Sequence, residues 1–207
     1  MEFIKTAVKK DQAVGNDQET RATVEGMLKR IELEGESAVA EYAKTFDGWT
    51  ADFVLTNEKL QQLIDSVPQD VKDDIDFAHK QIKRFAEAQR NSLTEFSIET
   101  EEGVTLGQKV MPVQAAGCYV PGGRYAHAAS ALMSVATAKA AGVPNVIACS
   151  PPRGESINAA VAYAMHVAGA DIILEMGGGA RDSDDGEWTV WDTKGRYYRW
   201  TGKCLCS

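Results

Sequence analysis

The sequence predicts an α/β protein, a parallel βαβαβ sheet preceded by a mostly helical N-terminal region, on three observations. Three apolar runs, starting at Ala115, Asn145 and Ile172, alternate with two alanine-rich segments of helical length. Their side chains are apolar at successive positions, the habit of strands buried on both faces of a parallel sheet with right-handed helical crossovers. Upstream of residue 93, apolar residues instead recur three and four apart, the helix period.

Over residues 18–46, Val24, Met27, Leu28 and Ile31 carry that period, Gly35 interrupts it, and Ala38, Val39, Tyr42 and Ala43 resume it. A helix pair is expected, ending at Asp47 and Gly48. Phe53, Val54 and Leu55 make a brief extended stretch. Thr56 or Asn57 can cap a short helix through Leu60, Leu63 and Ile64, and Pro68 opens a longer one with Val71, Ile75, Ala78, Ile82 and Phe85 on one face. After Leu93, "EFSIET" and "VTLGQKVMPV" flank Gly103 as a β-hairpin. A strand over 115–120, a helix over 130–141, the strand "NVIACS", a helix over 157–168 and the strand "IILEM" complete the βαβαβ unit. The chain thus divides into a helical region with a hairpin (1–114), a sheet domain (115–178) and a tail (179–207). A sheet of only three strands is expected to leave an apolar edge exposed.

Bulk composition narrows the function classes. With 207 residues, 44% hydrophobic and 25% charged, the chain is of ordinary globular rather than disordered make-up. A formal net charge of -8 and a pI near 5.0 argue against a nucleic-acid partner, whose phosphates demand clustered Lys and Arg. The N-terminus lacks the apolar core of a secretory signal and no long uncharged apolar run occurs, so a cytoplasmic protein with no membrane partner is expected. Cys118 and Cys149 fall in strands and Cys204 and Cys206 in a terminal C-x-C; reduced thiols are the default there. His79 and His166 read as helix-surface residues, and the three histidines and scattered carboxylates show no metal-ligand rhythm.

Ligands of parallel sheets bind beyond the carboxyl ends of the strands. Three permissive loops are expected at that rim: "PGGRYAH", "CSPPRG" and "MGGG". Gly122 and Gly123 allow close approach of a ligand to the main chain, or equally a tight strand-to-helix turn. Neither G-x-G-x-x-G nor G-x-x-x-x-G-K-[ST] is present, which excludes the common phosphate cradles. Tyr119 can stack on a flat ring or pack on the sheet, Arg124 can neutralise an anion or be solvated, and His127 can hydrogen-bond a ligand at a helix start.

The run "GCYVPGGRYAHAASALMSVATAKAAGVPNVIACSPP" resembles the histidinol dehydrogenase family, whose members carry a G-x-Y-x-P-G-G-R turn, an S-x-L-M helix and an AGV-to-strand step. The resemblance extends through "AEYAKTFDGW", "FAEAQRNSLTEF" and "GADIILEMGG", covering nearly everything before Gly179. "GRYAH", "DGW" and "AQRNSL" are more similar to the sulfopropanediol dehydrogenase branch, which oxidises a C3 sulfonate diol to sulfolactate. The resemblance implies an incomplete Rossmann-like fold with helical extensions, and a zinc-dependent homodimer that oxidises an alcohol with NAD. It places Tyr119 on NAD, with Pro121, Gly122 and Gly123 shaping the same pocket. The family's later NAD contacts, its zinc ligands and its Glu-His acid/base pair have no counterpart in this chain, so no catalytic or metal-binding residue is assigned. The 207-residue chain is accordingly expected to be inactive as a dehydrogenase. The alternatives are oxidation of L-histidinol and a non-catalytic nucleotide-binding fragment.

From Gly179 onward the family pattern stops and Trp188, Trp191 and Trp200 crowd together. Codons chosen for this stretch and read one base out of step can give VQEIRMMANGLFGTQRADIIVGPGNAFV, similar to the family's continuation. A frameshift after Gly178 is therefore the expectation; a gene whose displaced frame encodes no such string would dismiss it.

Overall fold

The computed structural model describes residues 10–122 and 126–177 and the backbone of 187–191 and 197–201, with side chains described over 22–122 and 126–177. These residues form two units. In the first, α1 (Lys10–Glu34) and α2 (Glu36–Asp47) meet at Gly35, where the helix period is interrupted. Arg30 joins them: its guanidinium reaches Glu34 at 3.0 Å and Glu41 at 3.1 Å and lies 5.4 Å from the Tyr42 ring centre. Glu41 first, and then Glu34, hold the guanidinium pKa above its ordinary value, while Arg30 holds the Glu41 carboxyl below its own. Gly48 ends α2 in the left-handed region, φ 66°, where a glycine is favoured.

The second unit begins with residues 53–55, followed by α3 (Asn57–Ser66) and α4 (Gln69–Asn91). The Thr56 hydroxyl accepts from the Lys59 N–H at 3.3 Å, the N-cap expected from the sequence. On α4, Ile75 is buried and Val71, Ala78 and Ile82 are half-buried, as the periodicity indicates. Phe85 departs from the prediction: it is 67% exposed, and Ala86 takes the buried position. The inward stripe steps by four from Ile82, and the small alanine suits a helix packed against others. β1 (Phe96–Glu101) and β2 (Val104–Gln108) form the antiparallel hairpin around Gly103, with the second strand ending well before Val113.

Then come β3 (Ala115–Tyr119), α5 (Ala128–Ala140), β4 (Asn145–Ser150), α6 (Ala159–Ala168) and β5 (Ile172–Glu175). The strands are parallel in the order β3-β4-β5, which is the predicted βαβαβ unit. Cys118, Ala148 and Ile173 lie side by side in register and join Leu132, Val135, Val161 and Met165 in one core. Both crossover helices therefore cover the same sheet face, and α4 packs across them. Sequential strands with crossovers of one hand require this. Tyr119, Cys149 and Leu174 share the opposite face, where the latter two are also buried.

The expected open edge is occupied on the β5 side. The Leu55 N–H donates to the Ile173 carbonyl at 2.9 Å and the Glu175 N–H to the Phe53 carbonyl at 2.7 Å, so residues 53–55 add an antiparallel bridge at Val54. The extended stretch between the helices thus satisfies the backbone groups of β5 that a bare edge would present. In the remaining described segment, which belongs to the first unit, β6 (Glu187–Trp191) and β7 (Tyr197–Thr201) pair antiparallel, with Trp188 opposite Trp200.

Candidate functional site

The parallel register brings the carboxyl ends of β3, β4 and β5 to a common rim. Tyr119 closes β3 and pairs with Cys149, one residue before the end of β4, which itself pairs with Leu174. The Val120 N–H continues the ladder, donating to the Cys149 carbonyl at 2.8 Å. Of the predicted residues, Tyr119 is half-buried at this rim and Pro121 and Gly122 are exposed beside it; Gly123 and Arg124 lie outside the described residues. His127 stands at the N-cap of α5 without a side-chain cap bond, and no acidic residue occupies the helix's first turn. Tyr119 belongs to the sheet face away from α5 and α6, so the aromatic ring and that helix start flank the rim from opposite sides.

Pro151 holds the three loops together. A Cβ on Gly122 would collide with its ring, and a Cβ on Gly177 would do the same from the β5 side. Both positions must be bare for the proline at the end of the central strand to sit between its neighbours. The close approach at Gly122 is thus made by the chain itself.

A buried charge lies at the rim: Glu175, at the end of β5 and 2% exposed. Its carboxylate accepts from Lys59 Nζ at 2.8 Å, from the Ile157 N–H at 3.2 Å and from the Ser156 hydroxyl. Lys59 Nζ also donates to the Glu155 carbonyl at 2.8 Å, so α3, the loop after β4 and the end of β5 share one network. A buried carboxylate requires such partners. Sequence reading missed this group; its signal was a lone acid inside the apolar run "IILEM".

A separate cavity of about 380 Å³ lies at the C-terminal ends of α5 and α6, next to His79, Lys83 and Lys139. Helices that return antiparallel to the strands place it at the amino ends of the sheet, away from the rim. Lys139 is paired there with Asp171 at 2.6 Å. Burial first, and then Lys83, lowers the His79 pKa, while His166 is exposed on its helix as expected. Among the described residues, no cluster of three or more His, Cys, Asp or Glu is placed to hold a metal ion, and no helix is long and apolar enough to cross a membrane.

The model of the histidinol dehydrogenase family matches residues 10–181. A histidinol dehydrogenase homolog of Ruegeria pomeroyi is 51% identical over 156 residues, which is 75% of this chain and 36% of the relative. The sulfopropanediol 3-dehydrogenase of the same organism is 44% identical over 179 residues, 86% of this chain and 41% of the relative. The crystal structure of histidinol dehydrogenase from Elizabethkingia anophelis superposes with a TM-score of 0.71 at 25% identity, covering 86% of this chain and 39% of that one. The chain therefore spans roughly two fifths of the length of the relatives it matches.

Proposed function

Because this chain belongs to the histidinol dehydrogenase family, we propose that it carries one side of the NAD pocket of a zinc-dependent alcohol dehydrogenase, with Tyr119, Pro121, Gly122 and Gly123 on the cofactor. The observation that carries the reading is the convergence of three parallel strand ends on one rim, with an aromatic ring on one side and an uncapped helix start on the other. These groups fit a dinucleotide: the Tyr119 ring suits a flat base, and the acid-free start of α5 suits a pyrophosphate. NAD, when bound, supplies the hydride acceptor; the residues of this chain bind and orient it.

No such fit exists for zinc among the described residues, and no step is assigned to it. The alcohol oxidation needs a base for the hydroxyl proton, and no residue here matches the family's acid/base pair. Nucleotide binding without turnover is the activity proposed for the 207 residues.

Sulfopropanediol is the proposed substrate of the full-length activity, supported by the "GRYAH", "DGW" and "AQRNSL" segments and by the 44% identity to a relative named for it. Conversion of its primary alcohol to a carboxylate would consume two NAD and one water and release two NADH and three protons. L-histidinol is the alternative. Homodimer assembly is proposed on the family resemblance, and a cytoplasmic location on the character of the N-terminal sequence. Titrating NAD into the purified protein tests the cofactor reading: saturable binding, weakened by Tyr119→Ala, is expected, and no binding to the wild type would remove it.

A further inference from the structure

We propose that Glu175 is a positioning residue of the rim, its buried carboxylate fixing the 151–157 loop against the end of β5 and thereby holding one wall of the nucleotide pocket. The functional half of this rests on the NAD reading above; the structural half stands on the network alone.

The loop has two anchors of different kinds. At its start, Pro151 is wedged by shape between Gly122 and Gly177. At its end Ile157 is buried in the apolar core, but the two residues leading to it are not: Glu155 is exposed and Ser156 half-buried. Instead Glu175 takes hydrogen bonds from Ser156 and from the Ile157 N–H, and Lys59, bound to the same carboxylate, reaches back to the Glu155 carbonyl. Between the anchors, a turn is closed by the Arg153 N–H on the Ser156 carbonyl at 2.8 Å, with exposed Gly154 and Glu155 at its tip. The turn closes on Ser156, whose side chain is held by Glu175 and whose C-terminal neighbour Ile157 is fixed in the core. Removing the carboxylate would free the turn while leaving Pro151 and the sheet in place, because the strand ladders and the apolar core make no use of the Glu175 side chain.

The full 207-residue protein is compared with Glu175→Gln, which keeps shape and acceptor but drops the charge, and with Lys59→Met and Lys59→Arg. Amide exchange by mass spectrometry and NAD titration are the two readouts. Exchange in 151–157 should accelerate about tenfold in Glu175→Gln and Lys59→Met, be restored in Lys59→Arg, and stay unchanged in α5 and β4; NAD should bind about tenfold more weakly in the first two. Unchanged exchange in 151–157 overturns the proposal, as does equal acceleration in α5 and β4, which would mean general destabilisation. A loosened loop with undiminished NAD affinity overturns the positioning role. If the wild type binds no NAD while the exchange pattern holds, the loop-fixing role of Glu175 stands and the NAD reading is what fails.

Discussion

At Gly122, Gly177 and Tyr119, single atoms decide what the rim can be. Replacing Gly122 with alanine drives a methyl group into the Pro151 ring, and a rigid ring yields only if the backbone shifts. A loss of about 1–3 kcal/mol is expected, as for other overpacked sites, measured by urea unfolding; Pro151→Ala in the same chain should recover part of it. Tyr119→Ala tests a different property. The ring is half-buried at a strand end and outside the cluster that joins the sheet to α5 and α6. Its removal should weaken NAD binding by about tenfold, of the order of one stacking contact, with a smaller effect on the unfolding midpoint than a core truncation. Leu132, 1% exposed at the centre of that core, supplies the contrast: Leu132→Ala should cost about 2–5 kcal/mol.

Among the elements, α4 links packing to pH. It bears His79, whose pKa is lowered by burial and by Lys83 and raised by Asp76; Glu87 of the same helix and Lys139 of α5 also line the cavity. Because the folded value lies below the ordinary 6.5, the unfolded chain binds the proton more readily. The stability attached to His79 is present above about pH 6.5 and is lost as pH falls through the depressed folded value. His79→Gln should therefore flatten the acid side of the urea-midpoint profile below about pH 6.5. The same helix accepts a long-range bond, from the Tyr163 hydroxyl to Asp76 at 2.9 Å, and burial followed by that bond raises the tyrosine pKa.

The elements themselves were legible in the sequence because helix period and apolar runs are local signals. Thr56, Gly35, Gly48 and Gly103 fall where punctuation was expected. Phe85 was not, since a stripe read at intervals of three and four tolerates either of two neighbours. Nor could the runs "NVIACS" and "IILEM" say that both crossover helices share a face, because apolarity reports burial and not what does the burying. The Glu175 network was hidden for a stronger reason. Lys59 and Glu175 are 116 residues apart in the chain, and no periodicity connects them. Tyr119, by contrast, is a candidate through the resemblance carried by its turn rather than through its own chemistry.

For the whole molecule, the exposed apolar residues set solution behaviour. Phe96, Ile98 and Leu106 occupy alternate positions of a two-stranded hairpin and are all exposed. Such a hairpin is only marginally stable unless something packs on it, and clustered apolar surface of this kind binds other apolar molecules. The dye ANS should fluoresce strongly with the native protein, and Ile98→Thr with Leu106→Thr should reduce the signal without changing the helical circular dichroism. The catalytic prediction belongs to this scale as well. The purified 207-residue chain should reduce no NAD with either sulfopropanediol or L-histidinol, followed at the NADH absorbance band; measurable turnover would mean that a base and a metal site exist where none is assigned.

The proline ring lodged between two bare glycines also limits how this rim can change over generations. A side chain gained at position 122 or 177 is barred while the ring at 151 persists, so descendants must shed the ring before either glycine can drift. A lineage that carries a side chain at position 122 or 177 should therefore be found to have lost the proline at 151.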